Sequence, residues 1–211
     1  MVKIVGIDLA GVESRPTGFC ILDEKLKTET KILYKDEEIV KEVLNVKPSL
    51  TSIDAPLSLP KGRCCLRDNC PCRKAGHLRK CDKDILRLKI RLFPVTLGPM
   101  RKLTMRGINL NKTLTSHGFK VVETLPSSVR KILGFPAKTE GVDRLKKALT
   151  SYGIKGLENK SLSEHELDAV LSALAGKLYL EGKALEVGDP SEGLIVIPNP
   201  KLYNYPHQNL I

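Results

Sequence analysis

The sequence predicts an α/β domain: a mixed five-stranded sheet, made of a three-strand antiparallel meander plus parallel strands, with helices on both faces and a basic, cysteine-rich insertion. Three observations carry this. Short strand-like runs at 2–7, 17–22 and 28–34 follow one another with only brief breaks, as the strands of a meander do. Later strand-like runs alternate with amphipathic stretches of helical length, the pattern of crossover connections. Finally, five of the six cysteines and the entire charge excess fall between residues 61 and 106.

Taken in order, VKIVGI (2–7) is a continuous apolar run, as expected of a strand buried on both faces, and it ends in Asp8. TGFCIL (17–22) and TETKILY (28–34) flank the charged stretch 23–27 and read as a hairpin. Asp36 is the expected N-cap of a helix over 37–46, with Ile39, Val40, Val43 and Leu44 on one face and Pro48 beyond its end. LTSID (50–54) is the fourth strand, which the proline of Ala55-Pro56 keeps extended at its exit.

After the insertion, Pro99 suits a first helical turn, and Met100, Leu103, Gly107, Leu110 and Leu114 repeat at helical spacing until Gly118. FKVVE (119–123) is the fifth strand, ending in Glu123. Residues 127–133 and 140–151 read as helices. In the final helix Ser163 and Glu166 form a capping box, and Leu167, Val170, Leu171, Leu174 and Leu178 form the buried stripe. The apolar run at 194–197 is a candidate closing edge strand. No internal repeat and no Gly/Ser-rich linker divides the chain, so residues 1–211 read as one domain, with 61–98 as an insertion within it.

With 41% hydrophobic and 28% charged residues, the composition excludes disordered and fibrous classes. No apolar run approaches a membrane span and the N-terminus lacks signal-peptide features, so a cytoplasmic protein is expected. Residues 61–106 hold fourteen Lys and Arg against three Asp, which accounts for the whole formal charge of +11. Such segregation is an electrostatic footprint for a polyanion, and Arg63, Arg67, Arg73, Lys74, Arg79, Lys80, Arg101 and Arg106 are the expected phosphate contacts. The bland reading is a solvated surface segment. Cys64, Cys65, Cys70, Cys72, His77 and Cys81 lie in the same stretch. They read as a zinc site, with disulfides or an unligated loop as alternatives, because the paired C-x2-C knuckles of common zinc motifs are missing.

Asp8, Asp54 and Glu123 each end a strand, and the topology sends all three to one edge of the sheet, where open α/β folds bind ligands. Asp168 sits inside the apolar run LDAVLSALAG, with His165 one turn before it on the same face. Taken singly, each acid is as readily a turn cap or a locally bonded group. Together they would repel unless a cation held them, and hard oxygen ligands of this kind select Mg²⁺ or Mn²⁺.

VGIDLAG, SIDAPLSLP, VVETLP and SEHELDAVLSALAG, in this order and spacing, resemble the sequence blocks of an uncharacterised prokaryotic family of predicted nucleases of the RNase H fold, the domain of unknown function 429. The resemblance runs from the first strand to EGLIVIP at 192–198. It implies an RNase H-like sheet, metal-binding acids at Asp8, Asp54, Glu123 and Asp168, and a two-metal phosphodiesterase acting on DNA or RNA. Asp8 would bridge two ions, Asp168 would hold one and Asp54 the other, while His165 would orient water or assist product departure. Two other classes remain open. One is a non-catalytic nucleic-acid-binding protein that uses the basic insertion. The other is a relative of actin-like kinases, suggested by GIDLAG, although those close two lobes and need about twice this length.

Overall fold

The computed structural model describes residues 2–158 and 161–206. Its strands are β1 (Lys3–Asp8), β2 (Thr17–Asp23), β3 (Thr28–Leu33), β4 (Leu50–Asp54), β5 (Val121–Thr124), β6 (Ala184–Asp189) and β7 (Gly193–Pro198), joined in one sheet in the order β3-β2-β1-β4-β5-β7-β6. The meander β1–β3 is antiparallel, and β4, β5 and β7 run parallel to β1. The sheet has two strands more than the five predicted. The expected closing edge strand is β7, which lies inside the sheet; the edge is β6, antiparallel to it. β6 escapes a sequence reading because ALEVGD is short and half-exposed, with Val187 its buried residue.

The helices are α1 (Asp36–Val46), α2 (Lys80–Arg87), α3 (Gly98–Ser116), α4 (Pro126–Leu133), α5 (Val142–Tyr152) and α6 (Glu164–Leu180). Asp36 is the first residue of α1 and not its cap, which is Lys35. The Glu38 carboxylate accepts the Tyr34 and Lys35 backbone N–H groups at 2.9 and 3.1 Å, and so satisfies donors that the helix leaves unpaired. The expected capping box does form on α6: Ser163 Oγ accepts the Glu166 N–H, and Glu166 accepts the Ser163 N–H.

Strand alternation sorts the core into two layers. Val5, Ile7, Phe19 and Ile53 point to one face, against Ile39 and Val43 of α1 and Leu110 and Leu114 of α3. Ile4, Cys20, Leu22 and Leu50 point to the other, against α4, α5 and above all α6. A third cluster joins Cys81, Ile85 and Leu88 of the insertion to Val187, Ile195 and Ile197, so the insertion docks on the β6–β7 end.

α6 lies unusually close to the sheet because glycine faces it. A Cβ on Gly6 would stand 2.1 Å from the Ala169 carbonyl oxygen, and one on Gly18 would stand 1.9 Å from that of His165. This close seat sets His165 and Asp168 over the ends of β1 and β4.

Candidate active site at the carboxyl edge of the sheet

Asp8 follows Ile4 and Gly6 on the α6 face of β1, and Asp54 follows Leu50 and Ser52 on the same face of β4. The two are direct partners in the parallel register. Adjacent strands lie about 4.8 Å apart, so the pairing places two carboxylates side by side. From α6, the His165 Nδ1 lies 2.7 Å from Asp8 Oδ2. That bond raises the His165 pKa, because the carboxylate favours the imidazolium.

Burial raises the Asp8 pKa, against the His165 bond, and the charge of Asp168 adds to the rise. Asp54 is pushed well above the ordinary carboxylate range, first by burial and then by the charges of Asp8, Asp168 and Glu123, with Lys138 opposing. Among the described residues its carboxylate has neither a hydrogen bond nor a salt bridge. Asp168 is better served: Arg130 Nη2 donates to Oδ1 at 2.6 Å, and Lys138 Nζ donates to Oδ2 at 3.1 Å. Lys138 also reaches Glu164 at 3.4 Å. Neither Arg130 nor Lys138 was singled out from the sequence. The available signal was a charged residue at a buried position of the 127–133 helix, where Arg130 is 7% exposed.

The donor chemistry suits a hard divalent cation: unpartnered or singly bonded carboxylate oxygens, crowded with like charge on one face. Asp8, Asp54 and Asp168 are the residues that would hold it. No trio of acids among the described residues brings its ligand atoms within 4.8 Å of one another.

Glu123 is not drawn into this group. Its register partner on β4 is Ile53, not Asp54, which puts its side chain on the α1/α3 face, and β5 continues to Thr124. Both Glu123 oxygens accept from Arg79, at 2.7 and 2.6 Å, and Oε2 also takes the Leu57 N–H at 2.8 Å. Arg79 is 1% exposed and binds Asp82 and the Ser58 hydroxyl as well. Burial works against its charge, but the two carboxylates outweigh that and raise its pKa.

This corrects part of the expected phosphate grip. Arg63, Arg79 and Arg106 are buried, and Arg106 is engaged by Asp36 and by the carbonyls of Ala10 and Tyr34. A planar fork of donors is well suited to such interior bracing, and composition alone does not separate a bracing Arg from a solvated one. Arg67, Arg73, Lys74 and Lys80 are exposed; Lys80 pairs with Asp84, and half-buried Arg101 pairs with Asp68.

The expected six-residue zinc set also divides. The Cys64, Cys65, Cys70 and Cys72 sulfurs all lie within 4.8 Å of one another. His77 instead bonds the Thr96 hydroxyl at 2.6 Å, and Cys81 is buried on α2 in the third core cluster, where desolvation pushes its thiol far up. Spacing alone could not tell these two apart from the four clustered thiols.

No family model and no curated protein sequence matches the chain. Among solved structures it is similar to Thermus thermophilus RuvC in complex with a Holliday junction substrate, with a TM-score of 0.52 and 12% identity over 92% of this chain and 99% of that one. A second Thermus thermophilus RuvC structure matches with a TM-score of 0.47 and 14% identity, over 86% and 97%. No helix among the described residues is long and apolar enough to cross a membrane. The mixed sheet, with its helices on both faces and its inserted cysteine loop, has the RuvC-like form of the RNase H-like fold.

Proposed function

We propose that the chain is a divalent-metal-dependent nuclease that hydrolyses phosphodiester bonds of DNA or RNA. The observation that carries this reading is the in-register pair Asp8 and Asp54 on one sheet face beneath α6, with no bonded partner for the Asp54 carboxylate among the described residues. A half-buried, unpaired carboxylate beside another is costly, and such pairs cluster at functional sites.

Asp8, Asp54 and Asp168 hold Mg²⁺ or Mn²⁺ in this reading. Bound there, such ions supply Lewis-acid stabilisation to both the attacking and the leaving oxygen of an in-line displacement. His165 orients the Asp8 carboxylate through Nδ1 and leaves its other ring nitrogen for a water or a product oxygen. Lys138, 57% exposed at its side chain and paired with Asp168, would be free to meet substrate phosphate if a metal held that carboxylate. The exposed Arg67, Arg73 and Lys74 of the insertion bind the nucleic-acid backbone.

The test is cleavage of single strands, RNA–DNA hybrids and four-way junctions with Mg²⁺ or Mn²⁺, the junction included because the similar RuvC structure holds one. Asp8→Asn is expected to lower the rate by about a thousandfold or more, the scale of several kcal/mol of lost charge stabilisation. Equal rates for the two proteins would refute the reading. Salt-sensitive binding without turnover would favour the non-catalytic nucleic-acid-binding alternative.

A further inference from the structure

We propose that Cys64, Cys65, Cys70 and Cys72 form a structural tetrathiolate zinc site that holds the 61–79 loop in shape. Three observations support it. The first is distance. Cys64 and Cys70 sulfurs are 3.7 Å apart, as are those of Cys65 and Cys72, and all four lie within 4.8 Å. Tetrahedral zinc with bonds of about 2.3 Å sets its sulfurs about 3.8 Å apart. All four cysteines are unbridged thiols.

The second is the lack of any other core. Between residues 61 and 78 only Arg63 and Leu66 are buried, and the 3₁₀ turn Pro71–Ala75 buries nothing. A loop of this size with one buried apolar side chain needs a covalent or metal staple to keep its shape.

The third is a buried cation short of partners. The Arg63 guanidinium is held at the cluster by Nη1, which donates to the Cys65 carbonyl at 3.3 Å. Its Nε and Nη2 are buried with no hydrogen-bond partner. A buried guanidinium calls for nearby negative charge, and the acid near it, exposed Asp68, is already paired with Arg101. Four thiols that give up their protons to solvent and bind Zn²⁺ leave a centre of net charge −2, which supplies it.

A closed set of four thiolates leaves no open position for substrate, so the role is structural. His77 and Cys81 take no part. The proposal stands apart from the acid edge and holds whether or not that edge cleaves nucleic acid.

The test is elemental analysis and intact mass of the full chain, purified anaerobically with reductant and without chelator. One zinc per chain is expected in the wild type, in His77→Ala and in Cys81→Ala, and none in the Cys70→Ser/Cys72→Ser double variant. Should that variant not fold, the wild type decides: stripping zinc with a strong chelator should open residues 61–79 to trypsin while far-UV circular dichroism holds, and restored zinc should close them. Iron in place of zinc, a mass short by two hydrogens per cysteine pair, zinc retained by the double variant, or trypsin sensitivity indifferent to chelation would each overturn the assignment.

Discussion

Glu123 on β5, buried, and Asp54 on β4, half-buried, occupy adjacent strands, yet they meet opposite surroundings. Glu123 faces the α1/α3 side, where Arg79 grips both its oxygens and the Leu57 N–H adds a third donor. Asp54 faces α6, with Asp8 beside it and no bonded partner among the described residues. One carboxylate is finished by the fold; the other is not. A strand-end position therefore does not tell whether an acid is braced from within or left unpaired; the face that its register gives it does.

The largest expected effect comes from breaking the finished side. Arg79→Met leaves Glu123 and Asp82 buried without their cation, and should cost about 3–5 kcal/mol, the range for stripping one partner from a buried ion pair. For a chain of this size that lowers Tm by about 6–20 °C in calorimetry. A loss of less than about 1 kcal/mol would show that the network is not an internal brace.

Glu123→Gln is milder, because Arg79 keeps Asp82 and Ser58. It should cost about 1–3 kcal/mol in denaturant titration, the worth of hydrogen bonds to a charged group. Cleavage per folded molecule should stay within a few-fold of wild type, whereas Asp54→Asn should lose about a thousandfold. Equal losses for the two variants would return Glu123 to the proposed metal-binding acids and erase the contrast.

Much of this contrast was legible in the residues, and its limits are physical. The meander, the crossovers and the capped final helix follow from apolar periodicity, so Asp8, Asp54 and Asp168 could be assigned to one edge. The face of Glu123 could not, because a shift of one residue in register turns a side chain to the other side, and FKVVE does not announce whether the strand stops at Glu123 or Thr124. The interior roles of Arg63, Arg79 and Arg106 were hidden for a related reason: a charge run looks the same whether its members face water or brace a core. Arg130 and Lys138, which hold Asp168, lie outside the charge-rich segment and carry no pattern of their own.

The smallest and most diagnostic effect concerns Asp54 and pH. Its folded-state pKa is well above the ordinary carboxylate value, chiefly through burial. The folded wild type therefore holds this proton more tightly than the unfolded chain does, so this site's contribution to stability falls as pH rises from the unfolded pKa through the folded one. Asparagine has no proton to lose. Asp54→Asn should match wild-type stability below the ordinary carboxylate pKa and exceed it by about 1–2 kcal/mol well above the raised one, the gain expected when a strained site is relaxed. Saturating Mg²⁺ should close the gap by stabilising only the wild type, since a ligand that binds only the folded state raises its stability. A variant less stable than wild type at neutral pH, or a gain that grows as pH falls, would mean that Asp54 has an internal partner after all and is braced like Glu123.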